Sequence, residues 1–129
     1  MSLNEVKEII CRGEHCLHAV QFDLHEIAKN REIAGGIYPR RGSRNRQENV
    51  GGKQNRAYDV TAVSVLLRLG RDGAIAEKMS KDFYEAMAGK NFTLEDKSGF
   101  VKVIYDNPIW LGADSRGVFE YVIDVDFIS

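Results

Sequence analysis

Residues 40–56, RRGSRNRQENVGGKQNR, set six basic side chains (Arg40, Arg41, Arg44, Arg46, Lys53 and Arg56) beside a single carboxylate, Glu48, and a single apolar residue, Val50. Guanidinium groups at this density bind anions, meeting phosphates by charge and carboxylates by paired hydrogen bonds. A stretch with so little apolar surface cannot offset its own ordering entropy, so it is expected to take up structure on meeting a partner. Without it, the chain's 18 basic and 19 acidic residues fall to 12 and 18, a net charge of −6 on the remainder. Carboxylates of a neighbouring copy or a protein partner therefore suit these arginines better than free nucleic acid. A merely solvated loop and a salt-sensitive, sequence-blind contact with DNA stand as the alternatives.

Two other clusters could carry chemistry. Cys11, His15, Cys16 and His18 place four metal-donor types within eight residues. Tetrahedral zinc sites draw their ligands as two short pairs across a longer loop, and this single short segment lacks that spacing, so no metal site is expected. Asp124 and Asp126 alternate onto one face of a strand, where paired carboxylates could hold a cation or move protons. The plainer role for such residues is to keep a sheet face wet or to pair with basic neighbours. HExxH, GxSxG and GxGxxG are absent, and Gly51-Gly52-Lys53 and Gly89-Lys90 lack the Ser or Thr that follows the Lys of a phosphate loop. No catalytic residue and no cofactor is expected.

The elements that position these groups follow from hydrophobic period. Leu3, Val6, Ile9 and Ile10 recur at helical spacing and Gly13 ends the pattern, predicting a first helix. Residues 17–27 fit both a strand and a helix, and extended structure is expected. Residues 33–39 read as a brief strand entering the basic loop, and 58–69, rich in Val and Leu, as the central strand. Asp72 can cap a second helix with Ile75, Met79, Phe83 and Ala86 on one face and Glu77, Lys81 and Glu85 on the other, stopped by Gly89. A small strand is expected at 92–94 and a firmer one at 100–105. Finally, 108–111 and 118–128 form a closing hairpin around the turn at 112–117. In its second strand Phe119, Tyr121, Ile123, Val125 and Phe127 share one face against Glu120, Asp124 and Asp126 on the other. Trp110, Phe119 and Tyr121 are expected in the core. The order predicts one domain over residues 1–129 of α+β class (an α/β sandwich), a mostly antiparallel sheet of four to five strands with two helices on one face and a long loop between the first two strands. Glu5, Lys7, Glu8, Arg12 and Glu14 interrupt any secretory leader, and no apolar run approaches the ~20 residues that cross a bilayer, which points to a soluble intracellular chain.

The run Pro108-Ile109-Trp110-Leu111-Gly112-Ala113-Asp114, followed by Arg116-Gly117-Val118-Phe119-Glu120-Tyr121 and Asp126-Phe127, resembles the closing hairpin of tailed-phage tail terminator proteins, often labelled minor capsid proteins. Gly36-Ile37-Tyr38-Pro39-Arg40-Arg41 resembles that family's first strand before its long loop, and Tyr58-Asp59-Val60 its second. The resemblance covers about residues 33–128. It implies a small non-enzymatic virion subunit, assembled in the bacterial cytoplasm, that forms a ring, commonly of six, on the finished tail tube. Such a ring stops tube growth and offers a surface to a head-completion protein. Its partners would be further copies of itself, the tube protein and the head-completion protein, with non-specific contact to passing DNA and no membrane. Arg40, Arg41, Arg44, Arg46, Lys53 and Arg56 would then face the ring lumen or a neighbour. A head-completion or head-to-tail joining protein is the nearest alternative, and a nucleic-acid-binding module built on residues 40–56 the alternative of another class.

Overall fold

A computed structural model describes residues 2–12, 21–40, 60–94 and 97–129. Two helices and a seven-stranded sheet run in the order α1 (Leu3–Arg12), β1 (Phe22–Leu24), β2 (Ile33–Pro39), β3 (Val60–Leu69), α2 (Gly73–Met87), β4 (Asn91–Leu94), β5 (Lys97–Val103), β6 (Ile109–Ala113) and β7 (Phe119–Ile128). The α+β class holds, but the sheet is richer than the four to five strands expected, and it is mixed. β1 pairs parallel with β2, and the other pairings are antiparallel. The extra strands arise from β1 and β4, short edge pieces whose three and four residues are too few to display a period.

Both helices start on side-chain caps. Ser2 and Glu5 exchange hydrogen bonds across the first turn of α1, each side chain accepting from the other's backbone N–H at 3.2 and 3.0 Å, which satisfies two otherwise orphaned donors. Asp72 accepts from the N–H groups of Ala74 and Ile75 and so opens α2. α2 turns Ala76, Ser80, Phe83 and Met87 inward, whereas the expected face ran through Ile75 and Ala86, and Ile75 is exposed. The small Ala76 and Ser80 allow the helix axis to approach the sheet, and Phe83 and Met87 fill the wider gap at its far end. Gly89, at φ +68°, follows the helix in a left-handed conformation suited to glycine.

β7 is the hub of the sheet. One of its edges pairs with β3 along nine residues; the other pairs with β6 near its start and with β5 near its end. Val63, Val65 and Leu67 of β3 and Ile123, Val125 and Phe127 of β7 lie on the helix-bearing face, within one apolar core that also takes Val6, Ile9 and Ile10 of α1. α1 touches β1, β2 and β4, although β1 and β4 are opposite ends of the strand order, so the sheet curls until both ends meet that helix. Gly35 and Gly36 let chain close on both sides of β2. A methyl on Gly35 would sit 2.4 Å from the Phe22 ring in the core, and one on Gly36 would sit 2.6 Å from the Glu26 carbonyl on the other face. Residues 25–32 thus cross the sheet face that carries no helix.

Candidate functional site

That second face concentrates the charge. The β3–β7 register sets Arg68 opposite Glu120, Ser64 opposite Asp124 and Ala62 opposite Asp126. Arg68, 2% exposed, donates to Asp114 at 2.7 Å, to Glu120 at 3.0 Å, and to the carbonyls of Arg31 and Lys29 at 3.2 and 3.4 Å. Burial alone would lower its pKa, and the hydrogen bonds to the two carboxylates outweigh that and raise it. The same guanidinium, helped by the backbone N–H of Val118 and then of Arg116, holds Asp114 at about 2. Asp114 therefore does two jobs: Oδ2 takes Arg68 while Oδ1 closes the β6–β7 turn by accepting from Arg116 and Val118.

Farther along the same face, the Ser64 hydroxyl donates to Asp124 at 2.6 Å. Arg40 reaches the Asp126 carboxylate, which is 2% exposed, and donates to the carbonyl of Val63 at 3.2 Å. The first member of the basic segment is therefore engaged by its own chain. Arg41, Arg44, Arg46, Lys53 and Arg56 lie outside the described residues. Asp124 and Asp126 do share a face, as their spacing predicts, with Ser64 and Arg40 as partners. Of the four sulfur and imidazole groups near the N-terminus, Cys11 is exposed on α1, and His15, Cys16 and His18 lie outside the described residues. Among the described residues no group of three or more His, Cys, Asp or Glu side chains is placed to hold a metal ion, and no helix is long and apolar enough to cross a membrane.

The helix-bearing face ends differently, at β6. Its inner edge pairs with β7, and among the described residues no strand covers its outer edge. Trp110 is 60% and Leu111 55% exposed, and Ile104, Tyr105 and Ile109 add further open apolar surface beside them. Of the three aromatic residues expected in the core, Tyr121 is buried, Phe119 is half-buried and Trp110 is outside, its ring stacked on Phe119 at a centroid distance of 6.3 Å. Between this strand and α2 opens a groove of about 400 Å³ with Glu77, Ser80 and Lys81 on the helix side, Pro108 and Trp110 on the strand side, and Tyr121 between them. Burial, then the Glu77 carboxylate, pushes the Tyr121 phenol up. The Tyr84 hydroxyl donates to the Tyr105 carbonyl at 2.8 Å and ties the end of the groove to α2.

The sequence did carry a signal for this edge. Three large apolar residues in a row, Ile109-Trp110-Leu111, cannot all point to the single covered face of a pleated strand. Edge strands are ordinarily blunted by charge, and β6 contains none. Its one irregularity is a bulge between Trp110 and Gly112, where Gly112 takes φ +107°. Comparison with protein-family models, with curated proteins and with solved structures returned no match to this chain.

Proposed function

We propose that this chain is a non-enzymatic structural subunit of tailed-phage virion assembly, of the tail-terminator kind, working as a ring that caps the tail tube and offers a surface for head attachment. One observation carries the reading: the hairpin on which the resemblance rests, β6–β7, holds an unpaired apolar edge, with Trp110 and Leu111 more than half exposed. A strand that leaves tryptophan and leucine in water beside unpaired backbone groups is suited to being covered by protein. The alternative acid/base chemistry has less support, since Asp126 is buried on Arg40 and Asp124 accepts from Ser64. Arg41, Arg44, Arg46, Lys53 and Arg56 are proposed to face the ring lumen or a neighbouring protein.

Depletion during phage assembly tests the role. A terminator's loss gives overlong tubes, whereas loss of a head-completion or joining protein leaves tails of normal length unattached to filled heads; tubes of normal length therefore sink the terminator reading. Replacing Arg41, Arg44, Arg46 and Arg56 by Ser while sparing Arg40, which supports the sheet, is expected to abolish attachment to tubes. Steeply salt-dependent duplex binding by a stable monomer would instead favour the nucleic-acid-binding module.

A further inference from the structure

We propose that the β6 edge of one copy receives the flank of a second copy that carries Ile33 and Ile75, in a head-to-tail contact between two different surfaces. The inference rests on the reading of the chain as a self-assembling subunit and names the surfaces by which it would assemble. Ile33 and Ile75 are large, apolar and exposed, as are Trp110 and Leu111. The two patches are separate. β3 and β7 lie between β2, which carries Ile33, and β6, a spacing of roughly 14 Å at about 4.8 Å per strand. On α2, Glu77 lines the groove beside Trp110, while Ile75, two positions earlier, lies about 200° round the axis at 3.6 residues per turn. The patches therefore sit on opposite flanks of α2, and one copy cannot bring its own two together.

Charge selects the pairing. Near the β6 edge Glu77 is matched by Lys81, and near Ile33 and Ile75 Glu32 is matched by Arg71, so these four charges are largely answered within the chain. The remaining groups differ in sign. Asp106, beside Tyr105, is exposed and makes no ion pair among the described residues. Lys78, one turn beyond Ile75, is likewise exposed without an acidic partner, and Arg31 donates to the Gln21 amide rather than to a carboxylate. Joining like patches would set Asp106 against Asp106, or Lys78 and Arg31 against themselves. Joining unlike patches sets Asp106 against Lys78 and Arg31 and covers apolar surface on both sides. A contact of that kind is heterologous and, at a suitable rotation, closes a ring.

Sedimentation velocity of the full chain over a concentration series tests the contact, with circular dichroism confirming that each variant is folded. Trp110→Asp is expected to weaken self-association by about tenfold or more. Lys78→Glu and Asp106→Lys are each expected to weaken it by about fivefold. Mixing those two charge-reversed proteins should restore association, because each then finds the opposite sign on the other's unlike patch. A like-patch contact through β6 would ignore Lys78→Glu. Self-association unchanged by Trp110→Asp and by both reversals overturns the assigned surfaces and leaves the subunit reading standing. A wild-type chain that stays monomeric at every concentration also overturns this contact, while the tube-length outcome of depletion decides the subunit reading separately.

Discussion

Replacing Arg68 by Met asks whether the charged face of the sheet is structural. The guanidinium is 2% exposed and ties together four places: Glu120 on β7, Asp114 in the hairpin turn, and the carbonyls of Lys29 and Arg31 in the segment crossing the sheet. Met keeps an unbranched stem of similar reach and removes the charge, leaving two carboxylates and two carbonyls without their donor. Breaking a fully buried ion pair costs about 3–5 kcal/mol. Here the side chains of Asp114 and Glu120 keep 22% and 24% of their exposure, so water recovers part of that loss. For Arg68→Met as a whole, about 2–3 kcal/mol is expected, which for a domain of this size lowers the melting midpoint by roughly 7–11 °C. Far-UV circular dichroism is the suitable probe, because the chain's one tryptophan is the exposed Trp110 and its fluorescence reports on the β6 surface. Adding Glu120→Met to Arg68→Met removes a stranded carboxylate and should recover about 1 kcal/mol of the loss. A single variant that melts within about 2 °C of wild type would refute the reasoning. So would a double variant that melts below the single one.

Two further perturbations probe the same architecture. Asp114 sits at about 2 against an ordinary 3.8, so the folded chain holds fewer protons than the unfolded one between those values. Its contribution is therefore full above pH 3.8 and is lost as pH falls toward 2. The melting midpoint should drop across that window, and Asp114→Asn should flatten the drop; parallel pH profiles for the two proteins would contradict the assignment. Gly36→Ala would put a methyl 2.6 Å from the Glu26 carbonyl and 2.9 Å from the Tyr38 ring. The segment at 25–32 must then lift, for a loss of about 1–3 kcal/mol in urea unfolding. An unchanged urea midpoint would show that this segment does not press on the strand.

What was legible in the sequence was local. The alternation from Phe119 to Phe127, the turn at 112–117, the Asp72 cap and the apolar positions of α1 each depend on neighbours a few residues away, and each is found where the spacing puts it. What was not legible depends on register between distant segments. Arg68 meets Glu120 across 52 positions and Arg40 meets Asp126 across 86, and no periodicity in one strand selects its partner in another. The rotation of α2 is of the same kind, because Ile75 and Ala76 fit helical spacing equally well and only the approach of the sheet chooses between them. Five of the six basic side chains singled out at the start lie outside the described residues, and the sixth, Arg40, is turned onto Asp126.

Trp110 is the most consequential departure, and its cause is topological. β5 and β6 share one edge of β7, so β6 ends beside α2 with no strand beyond it among the described residues. A tryptophan that composition alone would bury is thereby left at the rim, stacked on Phe119 rather than sunk beneath it. The opposite face of the sheet shows the reverse: charged residues that composition would expose, Arg68 and Asp126, are shut in by their own pairing. With polar groups closed on themselves and apolar groups left open, the surface that asks for a partner is the hydrophobic edge rather than the charged sheet face. That inversion is why the proposed assembly contact is placed on β6, and why Trp110→Asp should weaken association while leaving the melting midpoint of the monomer nearly unchanged.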